Sequence, residues 1–285
     1  MERVEALLNN KNPFVRGGFV LAGAGLFLLG ASILFVALTP VPDLDTLSTR
    51  KISESTKILD RTGNTVLHDL NPDITRDIEP LASVSPNIIN ATIAIEDSDF
   101  YNHHGISFSG IARSILTDIR TGSLAQGGST ITQQVVKNTI LTSKKSIIRK
   151  IHEVILAVKI EGKYTKEEIL ELYFNNSPYG GTLYGVEAAA RAFFAKSAKD
   201  VSLAESAYLA ALPQSPTRYS PYGNHRDELD ARKDYVLERM EKLGMITEEE
   251  MKTAQAEEII FSPQSANSII APHFVFYIEQ YLEEK

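Results

Sequence analysis

Ser85-Pro86-Asn87-Ile88-Ile89-Asn90-Ala91-Thr92-Ile93-Ala94-Ile95-Glu96-Asp97-Ser98-Asp99-Phe100-Tyr101-Asn102-His103-His104-Gly105 is the stretch that decides how this chain folds. Ser85 is placed as a helix N-cap, Pro86 fits the first helical position, and Ile89 and Ile93 repeat at helical spacing. The helix these signals predict carries Glu96 near its C-terminus. There the negative end of the macrodipole and the apolar neighbours both disfavour the ionised carboxyl, raising its pKa toward the range useful to a general base or acid. Asp97 and His103 follow within seven residues, so two adjacent carboxylates and two imidazoles end one apolar run. A plain alternative is a pair of surface acids closing a helix, followed by a histidine-containing turn.

Two further constellations lie downstream. Gly127-Gly128-Ser129-Thr130-Ile131-Thr132-Gln133-Gln134-Val135-Val136-Lys137-Asn138 reads as a glycine pair feeding hydroxyls into a helix N-terminus. Thr130, Gln134 and Lys137 fall at i, i+4 and i+7 and so share a face. Free N–H groups, hydroxyls and a lysine in that arrangement suit a phosphate or pyrophosphate. The stretch is not a Walker loop, because no Gly-Lys-Ser/Thr follows at the required spacing. Arg149-Lys150-Ile151-His152-Glu153 heads an amphipathic helix running through Ile155, Leu156, Val158 and Ile160. In isolation Arg149 and Glu153 would make an exposed i,i+4 ion pair worth about 0.3–0.5 kcal/mol. Beside Lys137, Arg149 and Lys150, the Glu153 carboxylate gains another use, which is to hold a divalent cation against an anionic leaving group.

Composition bounds the setting. The chain has 285 residues, 43% of them hydrophobic, which suffices for one or two folded domains. Residues 17–38 carry no charge over 22 positions, and as a helix they would span about 33 Å, matching a bilayer core. The expectation is a transmembrane anchor. Arg3, Lys11 and Arg16 precede it and Asp43 and Asp45 follow, so the positive-inside rule puts residues 1–16 in the cytoplasm and everything after Leu38 outside it. Residues 39–56 read as a polar stalk stiffened by Pro40 and Pro42. Lys57 to Leu67 reads as a hairpin around Gly63-Asn64. Beyond Ser85 nearly every segment has helical period. Thr165 with Glu168, Ser202 with Glu205 and Thr247 with Glu250 have capping-box spacing, and Gly244 is placed to end the helix containing Val236 and Met240. The fold class is mainly α with a small β-hairpin region. A formal net charge of -7 with no Lys/Arg run argues against nucleic acid as a partner, and the lack of cysteine fits an oxidising, wall-side setting without establishing it.

Glu-Asp-x-x-Phe-x-x-His-x-Gly at 96–105, Gly-x-Ser-Thr-Ile-Thr-Gln-Gln at 127–134, Arg-Lys-x-x-Glu at 149–153 and Lys166-x-x-x-Leu170-x-x-Tyr173-x-Asn175 occur in that order. This set is similar to the signature motifs of the peptidoglycan glycosyltransferases, glycosyltransferase family 51, and the match runs from about Lys57 to Met251. Three departures stand out. Ala195 sits where the family usually has Gly, Arg232-Lys233 replaces an Arg-Arg pair, and Tyr184 to Ala190 matches loosely. The resemblance implies a lysozyme-like, two-lobed glycosyltransferase domain over 57–260. It also implies a connector over 261–285 leading toward a penicillin-binding transpeptidase domain of the class A members. No Ser-x-x-Lys motif with partners is present, so no peptide cross-linking is expected of these residues.

The activity implied is polymerisation of lipid II, with the growing lipid-linked strand as donor, the GlcNAc 4-hydroxyl as acceptor, and inversion at the anomeric carbon. Carried onto this chain, Glu96 is the base and Glu153 the second essential acid, the latter also the metal ligand for Mg²⁺ or Mn²⁺ bound with the substrate pyrophosphate. Asp97, Phe100 and His103 would shape the acceptor site. Ser129, Thr130, Gln133, Gln134, Lys137, Asn138, Arg149, Lys150, Tyr173 and Asn175 would contact substrate. Partners implied are lipid II, the glycan strand, the bilayer and a cell-wall synthesis complex. Apolar Ile106, Phe108, Ile111, Ile115, Leu116 and Ile119 leave two readings of 106–120, a dip into the outer leaflet, as the resemblance implies, or packing against the core. The rival reading is a lytic transglycosylase or lysozyme-like glycosidase, which also uses a glutamate in a groove but needs no pyrophosphate site.

Overall fold

The computed structural model describes residues 57–63, 66–69, 75–110, 128–141, 146–181 and 183–263, with Gly23, Gly30 and Ile278. The predicted tail and stalk and most of the anchor, the 106–120 segment and the connector lie outside them. No helix of the described residues is long and apolar enough to cross a membrane. The chain divides into Met1–Pro42 and Asp43–Lys285, and everything below belongs to the second unit.

Strands β1 (Lys57–Leu59) and β2 (Val66–Asp69) pair antiparallel, with a register irregularity after Ile58, as the hairpin reading predicts. A second sheet did not show in the sequence. Its strands β3 (Thr75–Arg76), β4 (Pro178–Gly180) and β5 (Leu183–Tyr184) join in the order β3-β5-β4, the first pair parallel. Strands of two or three residues are too short to show alternation.

Helix α1 (Pro86–Glu96) starts at Ser85, whose Oγ accepts from the Asn87 N–H at 3.3 Å, and Glu96 is its last residue. Ile88, Ala91, Thr92, Ile93 and Ala94 are all buried, so the helix is enclosed rather than amphipathic. It packs against α6 (Leu203–Ala211) and α7 (Arg226–Lys242). Alanines at 204, 207, 210 and 211 let α6 approach closely, and α7 contributes Leu229, Val236, Leu237 and Met240 at helical spacing. Gly244, with φ +70°, follows the end of α7, and α8 (Glu248–Ala256) closes this group.

The second group comprises α2 (Ile131–Thr139), α3 (Ile147–Glu161) and α4 (Lys166–Asn176), with α2 packed on both others. Each begins on a hydroxyl cap, and all three predicted capping boxes are present at α4, α6 and α8. Helix α2 has one as well. There the Thr130 hydroxyl accepts from Gln133 N–H while Gln133 Oε1 accepts from Thr130 N–H. Helix α5 (Val186–Phe194) ends on Ala195, the one non-glycine residue at positive φ among those described, at +55°.

Candidate active site

The loop after α1 is fixed before any substrate is considered. Asp97 is buried, and its Oδ2 accepts from the Ile131 N–H at 3.0 Å, the first free donor of α2. The same oxygen lies 2.8 Å from His103 Nε2. Because His103 Nδ1 accepts from the Gly105 N–H at 3.2 Å, the ring proton sits on Nε2 and is donated to Asp97. Thr130 Oγ1 donates to Gly105 carbonyl at 2.8 Å. Gly105 itself has φ +89°, and a Cβ there would stand 2.7 Å from the Ala157 carbonyl carbon on α3. Only glycine fits that approach.

Beneath the loop lies a buried polar knot that the sequence reading missed. Glu161 takes Lys166 Nζ at 2.5 Å and Thr132 Oγ1 at 2.5 Å, with His103 Nδ1 at 3.8 Å, while Lys166 also donates to the His103 carbonyl at 2.8 Å. One carboxylate thus joins α2, α3, α4 and the loop. Phe100 packs here, fully buried, with Lys166 Nζ 4.4 Å from its ring centre. Burying it stabilises by roughly 1.5–3 kcal/mol.

On this frame opens a cleft of about 410 Å³ walled by Glu96, Ser98, Asp99, Ser129, Thr130, Gln134 and Lys137 among others, with Arg232, Tyr235 and Arg239 from α7. Gln134 Nε2 donates to Glu96 Oε2 at 2.7 Å. Part of Glu96 remains in contact with solvent, yet Oε1 is sealed from it and has no hydrogen-bond partner. Burial pushes the Glu96 pKa above the ordinary carboxylate value. The Gln134 hydrogen bond and the charges of Arg232 and Lys137 pull it back, and neighbouring Asp97 adds to the rise. Tyr173 and Tyr179, both buried, have phenols shifted upward by burial and then by the Glu96 charge.

Lys137 relates the two acids. Loss of solvent around its ammonium lowers its pKa although the side chain as a whole stays exposed, while Glu153 and Glu96 both raise it; Lys150 and Arg149 push it down again. Lys137 is thus within electrostatic reach of both carboxylates, of which Glu96 lines the cleft and Glu153 lies outside its walls. Glu153 is 2% exposed and forms ion pairs with Lys150 and, at 3.9 Å, with Arg149 Nη1. Its pair with Arg149 is therefore not the exposed surface pair that spacing alone allowed. Lys150 Nζ also donates to Ser129 Oγ at 2.8 Å, tying this cationic cluster to the cleft wall. Arg149 Nε is buried without a partner.

Several expected substrate contacts fall elsewhere. Phe100 and Tyr173 are core residues, and the Asn175 side chain spans Glu79, accepting from its N–H at 2.9 Å and donating to its carbonyl at 2.8 Å. Asp97 does line the cleft while its Oδ2 holds the loop and the start of α2, whereas His103 and Gln133 are buried and spend polar atoms on the loop and the α2 cap. Asn138 is half-buried and does not line the cleft. A motif mixes residues that meet substrate with residues that hold those in place, and the linear spacing does not separate the two.

Residues 63–241 match the family model of the transglycosylases. Over 232 residues the chain is 37% identical to "Penicillin-binding protein 1F" of Bacillus subtilis, covering 81% of this chain and 32% of that protein. It is 43% identical over 178 residues to "Penicillin-binding protein 1A" of Pseudomonas aeruginosa, covering 62% and 22%. It is 34% identical over 269 residues to "Penicillin-binding protein 2D" of Bacillus subtilis, covering 94% and 38%. The chain thus spans about a fifth to two fifths of the length of these relatives. With Glu96 lining the cleft, Glu153 within electrostatic reach of Lys137 on its wall, and this match over most of the described helices, the chain belongs to the transglycosylase family, as the glycosyltransferase domain of a class A penicillin-binding protein.

Proposed function

We propose that this domain polymerises lipid II into glycan strands by inverting transfer. The observation that carries the reading is Glu96, a cleft-lining carboxyl with a raised pKa that Gln134 holds through Oε2, within electrostatic reach of Lys137, whose own charge senses Glu153, Lys150 and Arg149. Glu96 takes the proton from the GlcNAc 4-hydroxyl as that oxygen bonds to the anomeric carbon of the donor, and the bond from that carbon to the lipid pyrophosphate breaks. The departing pyrophosphate needs positive charge and no protonating acid, and Lys137, Arg149 and Lys150 supply it. Two carboxylates in unlike surroundings take unlike roles.

Glu153 is the carboxylate that would hold Mg²⁺ or Mn²⁺. Among the described residues no three His, Asp or Glu side chains converge, so the pyrophosphate would supply further ligands. When bound, the ion neutralises leaving-group charge. A wall-cleaving glycosidase has no use for the cluster around Arg149. Phe108, 79% exposed, supports contact of the loop after the first motif with a bilayer, and residues 17–38 would hold the domain on the outer face where lipid II resides. A wall-synthesis complex would then be its setting.

Incubation with lipid II in detergent or vesicles, with products resolved by length, tests the reading. Strands are expected from the wild type and none from Glu96→Gln or Glu153→Gln. Retained synthesis by Glu96→Gln would remove its base role.

A further inference from the structure

Two guanidinium groups in the cleft remain unused by this mechanism. Arg232, Tyr235 and Arg239 stand at i, i+3 and i+7 on α7, so they share one helix face, and all three line the cleft with Glu96. Each arginine commits one nitrogen to the end of a neighbouring helix. Arg232 Nε donates to the Ala211 carbonyl at 3.1 Å and Arg239 Nε to the Ala94 carbonyl at 3.4 Å. Neither has an ion pair among the described residues, although ion pairs occur all along the rest of α7, at Arg226, Glu228, Asp230 and Lys233. The arginines that face the cleft are the ones without a direct ion pair, although the Arg232 charge reaches Glu96. A guanidinium fork with free donors beside a polar cleft matches the oxygens of a phosphate or carboxylate. Tyr235, 37% exposed between them, offers a ring to the face of a sugar.

The cleft therefore has two cationic sides with Glu96 between them. Lys137, with Arg149 and Lys150 behind it, belongs to α2 and α3, and Arg232 and Arg239 belong to α7. Resting on the glycosyltransferase reading above, which assigns the α2 and α3 cations to the donor pyrophosphate, we infer that the Arg232–Tyr235–Arg239 face of α7 binds the acceptor. Its two arginines hold anionic oxygens of that molecule while its 4-hydroxyl meets Glu96. The seven-residue separation spans about 10 Å along the helix, so the two forks grip points on an extended sugar chain. Those oxygens belong either to the acceptor's own pyrophosphate or to carboxylates of its stem peptide. Both are oxyanions that a guanidinium reads alike.

The test separates donor from acceptor. A lipid-linked disaccharide lacking the 4-hydroxyl can only donate, and one joined to its phosphate through carbon can only accept. With the donor at saturation, Arg232→Gln and Arg239→Gln are each expected to raise the KM for the acceptor-only compound about tenfold, with the KM for the donor-only compound unchanged. Arg→Lys at each site should restore part of the loss. An acceptor with amidated stem carboxylates, and one with a neutral link in place of the pyrophosphate, identify the source, since the variants lose their penalty against whichever compound lacks the recognised group. Equal loss for donor and acceptor, or unchanged acceptor KM with a lowered melting midpoint, would mean that these arginines only brace helix ends and would overturn the inference. If a glutamine variant fails to fold, the same comparison is read from Arg→Lys and from Tyr235→Ala. No transfer by the wild type would instead sink the reading of the whole site.

Discussion

Gln134 Nε2 lies 2.7 Å from Glu96 Oε2, and this contact joins residues 38 positions apart that belong to different motifs. It also has an electrostatic consequence, because it stabilises the ionised carboxylate against the burial that destabilises it. Gln134 thus holds the Glu96 carboxyl in place as well as forming a wall of the cleft.

Gln134→Leu should raise the Glu96 pKa further and shift the acid limb of the pH profile of kcat/KM upward. At neutral pH the rate should fall on the order of tenfold, the scale of a lost hydrogen bond to a charged group. A pH–rate profile of the variant beside the wild type checks both, and an unmoved acid limb would contradict the assignment.

Glu96→Gln should abolish transfer, by about 10²–10⁴-fold, the usual contribution of a general base. The same variant should be more stable than the wild type at pH 7.5. Burial raises the folded-state pKa of Glu96, so its contribution to stability is full below the ordinary carboxylate value and is lost as pH rises through the higher folded value. Denaturant midpoints at pH 4 and pH 7.5 should show the stability gain at the higher pH alone.

Asp97→Ala should destabilise the domain by about 1–3 kcal/mol, because it strands the Ile131 N–H and the His103 ring proton in a buried setting. Thermal melting measures the loss. Activity should fall even at temperatures where the fold persists, since the loop and the start of α2 lose their common anchor.

Ala195→Gly should stabilise the domain by about 0.5–1 kcal/mol. Ala195 is at φ +55°, where a side chain costs roughly 1–2 kcal/mol, and the greater freedom of glycine in the unfolded chain offsets part of the gain. The residue is not among the cleft walls, so kcat should not change.

Chelation of divalent ions should reduce wild-type transfer, and Mn²⁺ or Mg²⁺ should restore it. With Glu153 as the metal ligand, added Mn²⁺ or Mg²⁺ should not restore transfer to Glu153→Gln. A titration of initial rate against Mn²⁺ in both proteins reads this directly.

Much of the molecule was legible along the chain. The cap at Ser85, the capping boxes at Thr165, Ser202 and Thr247, and the turn at Gly244 are local events, decided by side chains reaching backbone a few residues away, so spacing reveals them. The chemical types at 96, 137, 149 and 153 likewise raised the expectation of a base and an anion site from the sequence alone. Tertiary structure alone decided which motif residues face the cleft. Tyr173 and Asn175 look as functional in the sequence as Gln134, yet they are turned into the core and onto the Glu79 backbone. It also brought Arg232, Tyr235 and Arg239 to the cleft from nearly a hundred positions away, and set Glu161 beneath the loop as a shared anchor. The physical reason is range. Capping and periodicity act over one or two helical turns, whereas the burial that raises the pKa of Glu96 and the charges that lower it come from helices that meet only when the chain has folded.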